Sequence, residues 1–442
     1  MVDLSSAFQH LKEKNVLVLG DFMCDLYTKG KAHRVSPEAP VVVLNVEEQQ
    51  RLAGGAGNVV FNLKTLGANV VPCGLLGEDA EGNYLKELFH KKGIETNGIF
   101  QSPTVSTIVK NRLIADFQQL IRVDFEKKYV LSEDLENQIL DYIHRIIPLF
   151  HVVAISDYQK GFLTRRILRE VIEKARSLGI PVVVDPKGND FSKYKGATII
   201  KPNAKEAYQA ANLAEGATIE QVAAKLLDAG FSDGYIITRS EHGMAYFTNQ
   251  EKKYFPVRVK EVVDVTGAGD TALAMITFCL ANQLIIDHAI PLANIASSIA
   301  IEKIGCAHVA LSEVAQRLLE FNLQDKFLPL EHLEAFKPVI KATPYCLYLL
   351  EEIESIDFQV LEALKKSLSK NTQFKNIVYF KKTKNTPLLL QILSSFQELD
   401  FILVDKLFVE TLLEVAFPET IEIISKDSNT VICAKEALAS IL

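Results

Sequence analysis

The segment Asp264-Val-Thr-Gly-Ala-Gly-Asp270 runs directly into an apolar stretch, Thr-Ala-Leu-Ala-Met-Ile-Thr-Phe-Cys-Leu. Gly267 and Gly269 permit backbone conformations closed to other residues and let a ligand approach the main chain. With Ala268 between them, they put free N–H groups at the start of a helix. Such groups bind an anion and stabilise charge developing on a transferred phosphoryl group. Asp270 stands at the same helix start, placed to accept a proton from a substrate hydroxyl. The competing reading is an acid capping a helix after a glycine turn, but Asp264 and Thr266 add constraints that a bare cap does not need.

Other polar residues could build a pocket around this loop. Asp25 follows the first apolar run at a sheet edge, where α/β folds bind ligands and a carboxylate suits sugar hydroxyls. Asp21 reads equally as a site residue or a turn residue. Gly54, Gly55 and Asn58 either bring backbone and an amide close to a ligand or form a helix-entry turn. Arg34, Lys187 and Arg122 are candidates for holding an anionic group, Arg34 through bidentate geometry, while Arg122 can equally pair with Asp124. Asn203 and Glu206, one helical turn apart, either face a phosphate–magnesium cluster through water or cap their helix.

The order of these motifs over about residues 12–315 resembles the ribokinase-like (pfkB) carbohydrate kinase family. Gly20-Asp-Phe-Met-Cys-Asp25, Arg34-Val-Ser-Pro-Glu-Ala-Pro40, Ser156-Asp-Tyr-Gln-Lys-Gly161, Asp185-Pro-Lys-Gly188 and Lys201-Pro-Asn203 are similar to bacterial heptose-phosphate kinases, the kinase half of a bifunctional heptose kinase/adenylyltransferase. The resemblance implies ATP and Mg2+, with phosphorylation of D-glycero-β-D-manno-heptose 7-phosphate at O1 for ADP-heptose and lipopolysaccharide core synthesis. It makes Asp270 the catalytic base and Gly267, Ala268 and Gly269 the anion hole. Asp25, Asp21, Arg34, Gly54, Gly55, Asn58 and Lys187 then face the sugar phosphate. Asn203, Glu206, Thr238, Gly243, Asp264 and Asn294 face ATP, with Glu206 on magnesium through water. The chain departs from the family pattern at Asp116-Phe117, at Ser240 in place of a glycine, and at Glu302-Lys303. The alternatives are a kinase for another sugar or sugar phosphate, or a catalytically weak binding or scaffold protein.

Apolar runs at 16–19, 151–156, 182–185, 198–200 and 235–238 alternate with helical patterns such as 163–177 and 219–229. They predict a doubly wound α/β domain over 1–315. Segments near 28–50 and 104–126 predict a small β-sheet lid. A helical linker is expected at 316–340, and a smaller α/β domain at 341–442, whose strand-like runs alternate with helical patterns such as 358–368. The chain has 442 residues, 48% apolar, and a net charge of −7, which exclude disorder and a polybasic nucleic-acid binder. No segment reads as a signal peptide or membrane span, and six scattered cysteines suit reduced thiols in the cytoplasm. A homodimer is compatible with the sequence. The last of 22 glycines is Gly305 and no histidine follows His332, so the HxGH motif of the transferase half is missing from the tail. The tail reads as a degenerate nucleotidyltransferase or an unrelated α/β module, with Glu351-Glu-Ile-Glu-Ser-Ile-Asp357 after its first strand.

Overall fold

Thirteen strands follow one another between Asn15 and Phe255: β1 Asn15–Gly20, β2 Phe22–Val35, β3 Val42–Gly55, β4 Asn69–Gly77, β5 Ile99–Ser102, β6 Ile108–Ala115, β7 Gln118–Phe125, β8 Val152–Ser156, β9 Val182–Asp185, β10 Ala197–Ile200, β11 Ser232–Thr238, β12 Met244–Phe247 and β13 Lys252–Phe255. This computed structural model describes residues 4–432 apart from 117, 215, 258–261, 323–325, 351–357, 372 and 425–428. Two compact units form, one from Leu11 to Ala310 and one from Met1–His10 together with Leu311–Leu442.

In the larger unit nine strands make one sheet in the order β13-β12-β11-β10-β9-β8-β1-β4-β5, with β5, β4, β1, β8, β9, β10 and β11 parallel. Strands such as Val152–Ser156 are buried along their whole length, as a parallel sheet covered on both faces requires. The sequence places the helix before β9 at 163–177. It begins at Arg165, where Thr164 caps it by accepting from the Ile167 N–H.

A separate four-stranded sheet, β3-β2-β6-β7, is the expected lid. Its first strand starts at Phe22, six residues before the expected 28, because the chain passes from β1 into β2 with only Asp21 between them. Asp25 therefore sits within the lid sheet, opposite Lys110 on β6 and Leu52 on β3. Asp116 takes φ of 47° at the turn between β6 and β7, and Phe117 lies outside the described residues.

The second unit carries β14 Tyr345–Leu350, β15 Lys375–Phe380, β16 Phe401–Leu403, β17 Thr420–Ile424 and β18 Asn429–Ile432 in the order β16-β15-β14-β17-β18. The alternation read from sequence is present, with the helix Phe358–Leu368 at its expected bounds. Segment 351–357 lies outside the described residues. The stretch expected as a linker forms helices Leu311–Asn322 and Leu333–Ala342. The short helix Leu4–Ala7 and the turn Phe8–His10 pack against Leu333–Ala342, with Ala7 and Phe8 buried. Cys24, Cys73, Cys279, Cys306 and Cys346 are free and buried, and Cys433 lies outside the described residues. Among the described residues no helix is long and apolar enough to cross a membrane.

Candidate active site

The apolar stretch after the glycine loop folds as the helix Ala268–Ala281, buried almost throughout because it packs between the main sheet and the helices Ala56–Thr65 and Ile286–Ala300. Its N-cap, Gly267, has φ of 81°, and a Cβ there would lie 2.6 Å from Asn58 Nδ2. Only glycine satisfies both conditions. Asp264 holds the loop from outside, its Oδ1 accepting from the Thr266 N–H at 2.9 Å and its Oδ2 from the Gly305 N–H at 2.9 Å. Burial opposes its charge, but these bonds outweigh burial and keep the carboxyl below its ordinary value. Each oxygen accepts one backbone N–H, so Asp264 fastens the loop to the segment at Gly305.

Asp270 lies at the bottom of the site, 6% exposed. Asn58 Nδ2 donates to Oδ2 at 2.9 Å, and the Tyr158 hydroxyl donates to Oδ1 at 2.8 Å. Burial pushes the carboxyl up to about 6; neighbouring Asp185 adds to the rise, while Asn58, Tyr158 and Lys201 moderate it. A base titrating near neutrality suits proton removal from an alcohol in a working cell. Beside it, Lys201 Nζ pairs with Asp185 Oδ1 at 3.1 Å. A Cβ built on Gly269 would lie 3.8 Å from Asp185 Oδ2 and 3.9 Å from Lys201 Nζ, so this pair borders the anion loop.

The residues expected at the sugar include several from the lid. Asp25 Oδ1 accepts from Arg112 at 2.5 Å and Oδ2 from the Cys306 thiol at 3.3 Å. Gly54 is required beside it, since a Cβ there would fall 2.0 Å from Asp25 Oδ2. Asp21 Oδ2 accepts from the Tyr158 and Lys160 N–H groups at 2.9 and 3.1 Å, while its buried Oδ1 has no hydrogen-bond partner among the described residues.

The three cations weighed in the sequence fall in different places. Arg34 is exposed near the end of β2, Arg122 pairs with Asp124, and Lys187 Nζ pairs with Glu206 Oε1 at 2.8 Å. Sequence reasoning missed Lys110. Its ammonium stands 5.5 Å from the Tyr158 ring centroid, half-buried and without a carboxylate at ion-pair distance among the described residues. Burial, with Lys160 and Arg122 nearby, holds its pKa below the usual value. The alternation of β6 already carried the signal, because Lys110 and Arg112 are two residues apart and share a face.

Of the residues expected at the nucleotide, Asn203, Glu206 and Thr238 lie at or just after the ends of β10 and β11. Asn203 and Glu206 form a reciprocal capping box on the helix Ala204–Ala211. Thr238 bridges Asn203. Gly243 has φ of 72°, and a Cβ there would lie 2.2 Å from the Phe255 carbonyl. Asn294 Nδ2 donates to that same carbonyl at 2.9 Å. Between them, Ser240 adopts φ of 49°, the left-handed conformation expected to be strained in a residue with a side chain. Ser240→Gly should raise stability by up to about 1 kcal/mol, seen as a melting temperature a few degrees higher. An unchanged or lower value would show that the turn carries no strain.

Three comparisons accord with this arrangement. Residues 13–313 match the pfkB family of carbohydrate kinases. The bifunctional protein HldE of Geotalea uraniireducens is 42% identical over 346 residues, covering 77% of this chain and 70% of that protein. HldE of Campylobacter jejuni strain RM1221 is 43% identical over 311 residues, covering 70% and 65%. The chain thus spans about two thirds of the length of these relatives. Among solved structures, an Arabidopsis thaliana ribokinase complexed with ribose and ATP gives a TM-score of 0.55 at 19% identity, covering 69% of this chain and 99% of that one. Phosphofructokinase-2 from Escherichia coli, in complex with potassium, gives 0.59 at 17%, covering 71% and 100%. The fold is ribokinase-like, and the chain belongs to the pfkB family of carbohydrate kinases.

Proposed function

We propose that this sugar kinase transfers the γ-phosphoryl group of ATP to O1 of D-glycero-β-D-manno-heptose 7-phosphate, giving the 1,7-bisphosphate and ADP. The observation that carries the reading is the buried Asp270, held by Asn58 and Tyr158 at the start of the helix that opens with the glycine loop. Asp270 takes the proton of the acceptor hydroxyl as the new P–O bond forms and the bond to ADP breaks. The amides of residues 267–269 stabilise the charge on the moving group. The motif resemblance to heptose-phosphate kinases and the identity to HldE proteins favour this acceptor.

Magnesium fits the donor set through water. Both Glu206 oxygens are occupied, by Lys187 and the Asn203 N–H, while Asp185 Oδ2 borders the loop. Magnesium retains several waters and needs only one or two carboxylates besides phosphate oxygens. Bound there, it would neutralise phosphate charge; Asp185 and Glu206 would hold its waters.

The phosphate of the acceptor is best served by Lys110, a half-buried lid cation with no carboxylate at ion-pair distance among the described residues, whereas Arg34 and Arg51 are exposed. ADP release measured with heptose 7-phosphate, fructose 6-phosphate and unphosphorylated sugars tests the whole reading. Turnover selective for heptose 7-phosphate is expected, with Lys110→Met raising its KM about tenfold or more and leaving an unphosphorylated sugar unaffected. Preference for another sugar would replace the substrate. Absence of turnover with every acceptor, despite nucleotide binding, would favour the scaffold reading.

A further inference from the structure

We propose that Tyr158 is a positioning residue for the base, its hydroxyl fixing the orientation of Asp270 and favouring the ionised carboxylate over the protonated acid. The inference rests on Asp270 acting as the base. One oxygen of the carboxylate is held by Asn58 at 2.9 Å and the other by Tyr158 at 2.8 Å. Two donors from opposite sides stop the carboxylate from rotating about its own bond. Each oxygen keeps a second lone pair for an acceptor hydroxyl.

Tyr158 is itself over-determined, which distinguishes it from a hydroxyl that merely happens to be near. Its N–H is anchored on Asp21 Oδ2. Its ring edge lies against Gly55, where a Cβ would approach Cε2 to 3.3 Å and where φ is already +57°. Lys110 stands over its ring face. Asp21 and Gly55, both expected at the sugar, thus act through Tyr158 on the base. The phenol is held well above its usual pKa, first by burial and then by the Asp270 charge, so it stays a donor across the working range.

The groups facing Asp270 are Asn58 from the helix Ala56–Thr65, Tyr158 after β8, Asp185 at the end of β9, Lys201 after β10 and Cys306 after the helix Ile286–Ala300. Asp185 and burial favour the protonated acid. Without the Tyr158 hydroxyl they are opposed by Asn58, Lys201 and the start of the helix Ala268–Ala281. A hydrogen bond to a charged group of this kind corresponds to about one pH unit.

The test is the acidic limb of the kcat–pH profile, measured with an acceptor that the wild type turns over. Tyr158→Phe should move the limb upward by about one unit, losing more activity at pH 6 than at pH 8. Incorporation of 3-fluorotyrosine at position 158, a stronger donor, should move it the other way. The Asp270 carboxyl, identified in 13C spectra by its disappearance in Asp270→Asn, should titrate with the same shifts in the absence of any acceptor. That measurement stands even if no acceptor is turned over, so failure of the kinase reading and failure of this inference are separable. A limb and a carboxyl titration unmoved in Tyr158→Phe would overturn the proposal. Should that variant not fold, an unmoved titration with 3-fluorotyrosine would do so.

Discussion

Asp270→Asn is expected to lower kcat by about 10²–10⁴-fold with little change in either KM, and at the same time to make the protein harder to melt at pH 7. The first effect follows from removing the proton acceptor while leaving its shape. The second follows from linkage. The carboxyl has a folded pKa of about 6 against an ordinary 3.8. The folded state therefore holds its proton more tightly than the unfolded chain. Its contribution to stability is fully present below pH 3.8 and lost as pH rises through 6. At pH 7 the buried charge costs up to about 3 kcal/mol, which Asn does not incur. The gain will be smaller than that, because one of the donors from Asn58 and Tyr158 loses its acceptor. Melting curves of both proteins should differ most at pH 7 and converge towards pH 4. A variant less stable than the wild type at pH 7 would contradict the assigned protonation behaviour.

Arg112→Met should have the largest effect on the fold of any lid substitution. Arg112 and Asp25 are paired with side-chain exposures of only 12% and 5%. The guanidinium also lies 5.1 Å from the Tyr27 ring centroid. Removing one partner leaves a buried carboxylate whose remaining side-chain donor is a thiol, a loss of about 3–5 kcal/mol. A fall of many degrees in melting temperature is expected, together with weaker sugar binding by calorimetry. Lys110→Met, two residues away on the same strand, should leave stability within about 0.5 kcal/mol, since its ammonium breaks no ion pair. Equal losses from the two variants would refute this division of labour between a structural cation and a binding cation.

The elements that bury apolar runs were legible in advance. The strand Val182–Asp185 and the helix Phe358–Leu368 fall at the residues their sequence indicates, because a covered parallel strand or a striped helix leaves a local pattern. The glycine loop and the buried acid that follows it were legible for a similar reason, since Gly267 and Asp270 lie within four residues of each other. Tyr158, Lys201 and Arg112 were not assigned roles. Each acts on a partner more than 15 residues away, respectively Asp270, Asp185 and Asp25, and nothing local marks such a pair. Lys187 shows the converse. Its place after a strand end was read correctly, but its actual partner, Glu206, depends on how two neighbouring strands are ordered in the sheet.

The packing of Leu4–Ala7 and Phe8–His10 against the helix Leu333–Ala342 has a consequence for biosynthesis. A ribosome adds about 5–20 residues each second. The segment 4–10 therefore waits roughly 15–60 s before its docking surface, Leu333–Ala342, has been translated. Throughout that interval the apolar side chains of Ala7 and Phe8 have no native cover, while the residues from 11 to 310 can already close their sheet. The segment 4–10 is thus a natural site for a nascent-chain chaperone to engage until the helix Leu333–Ala342 has been made.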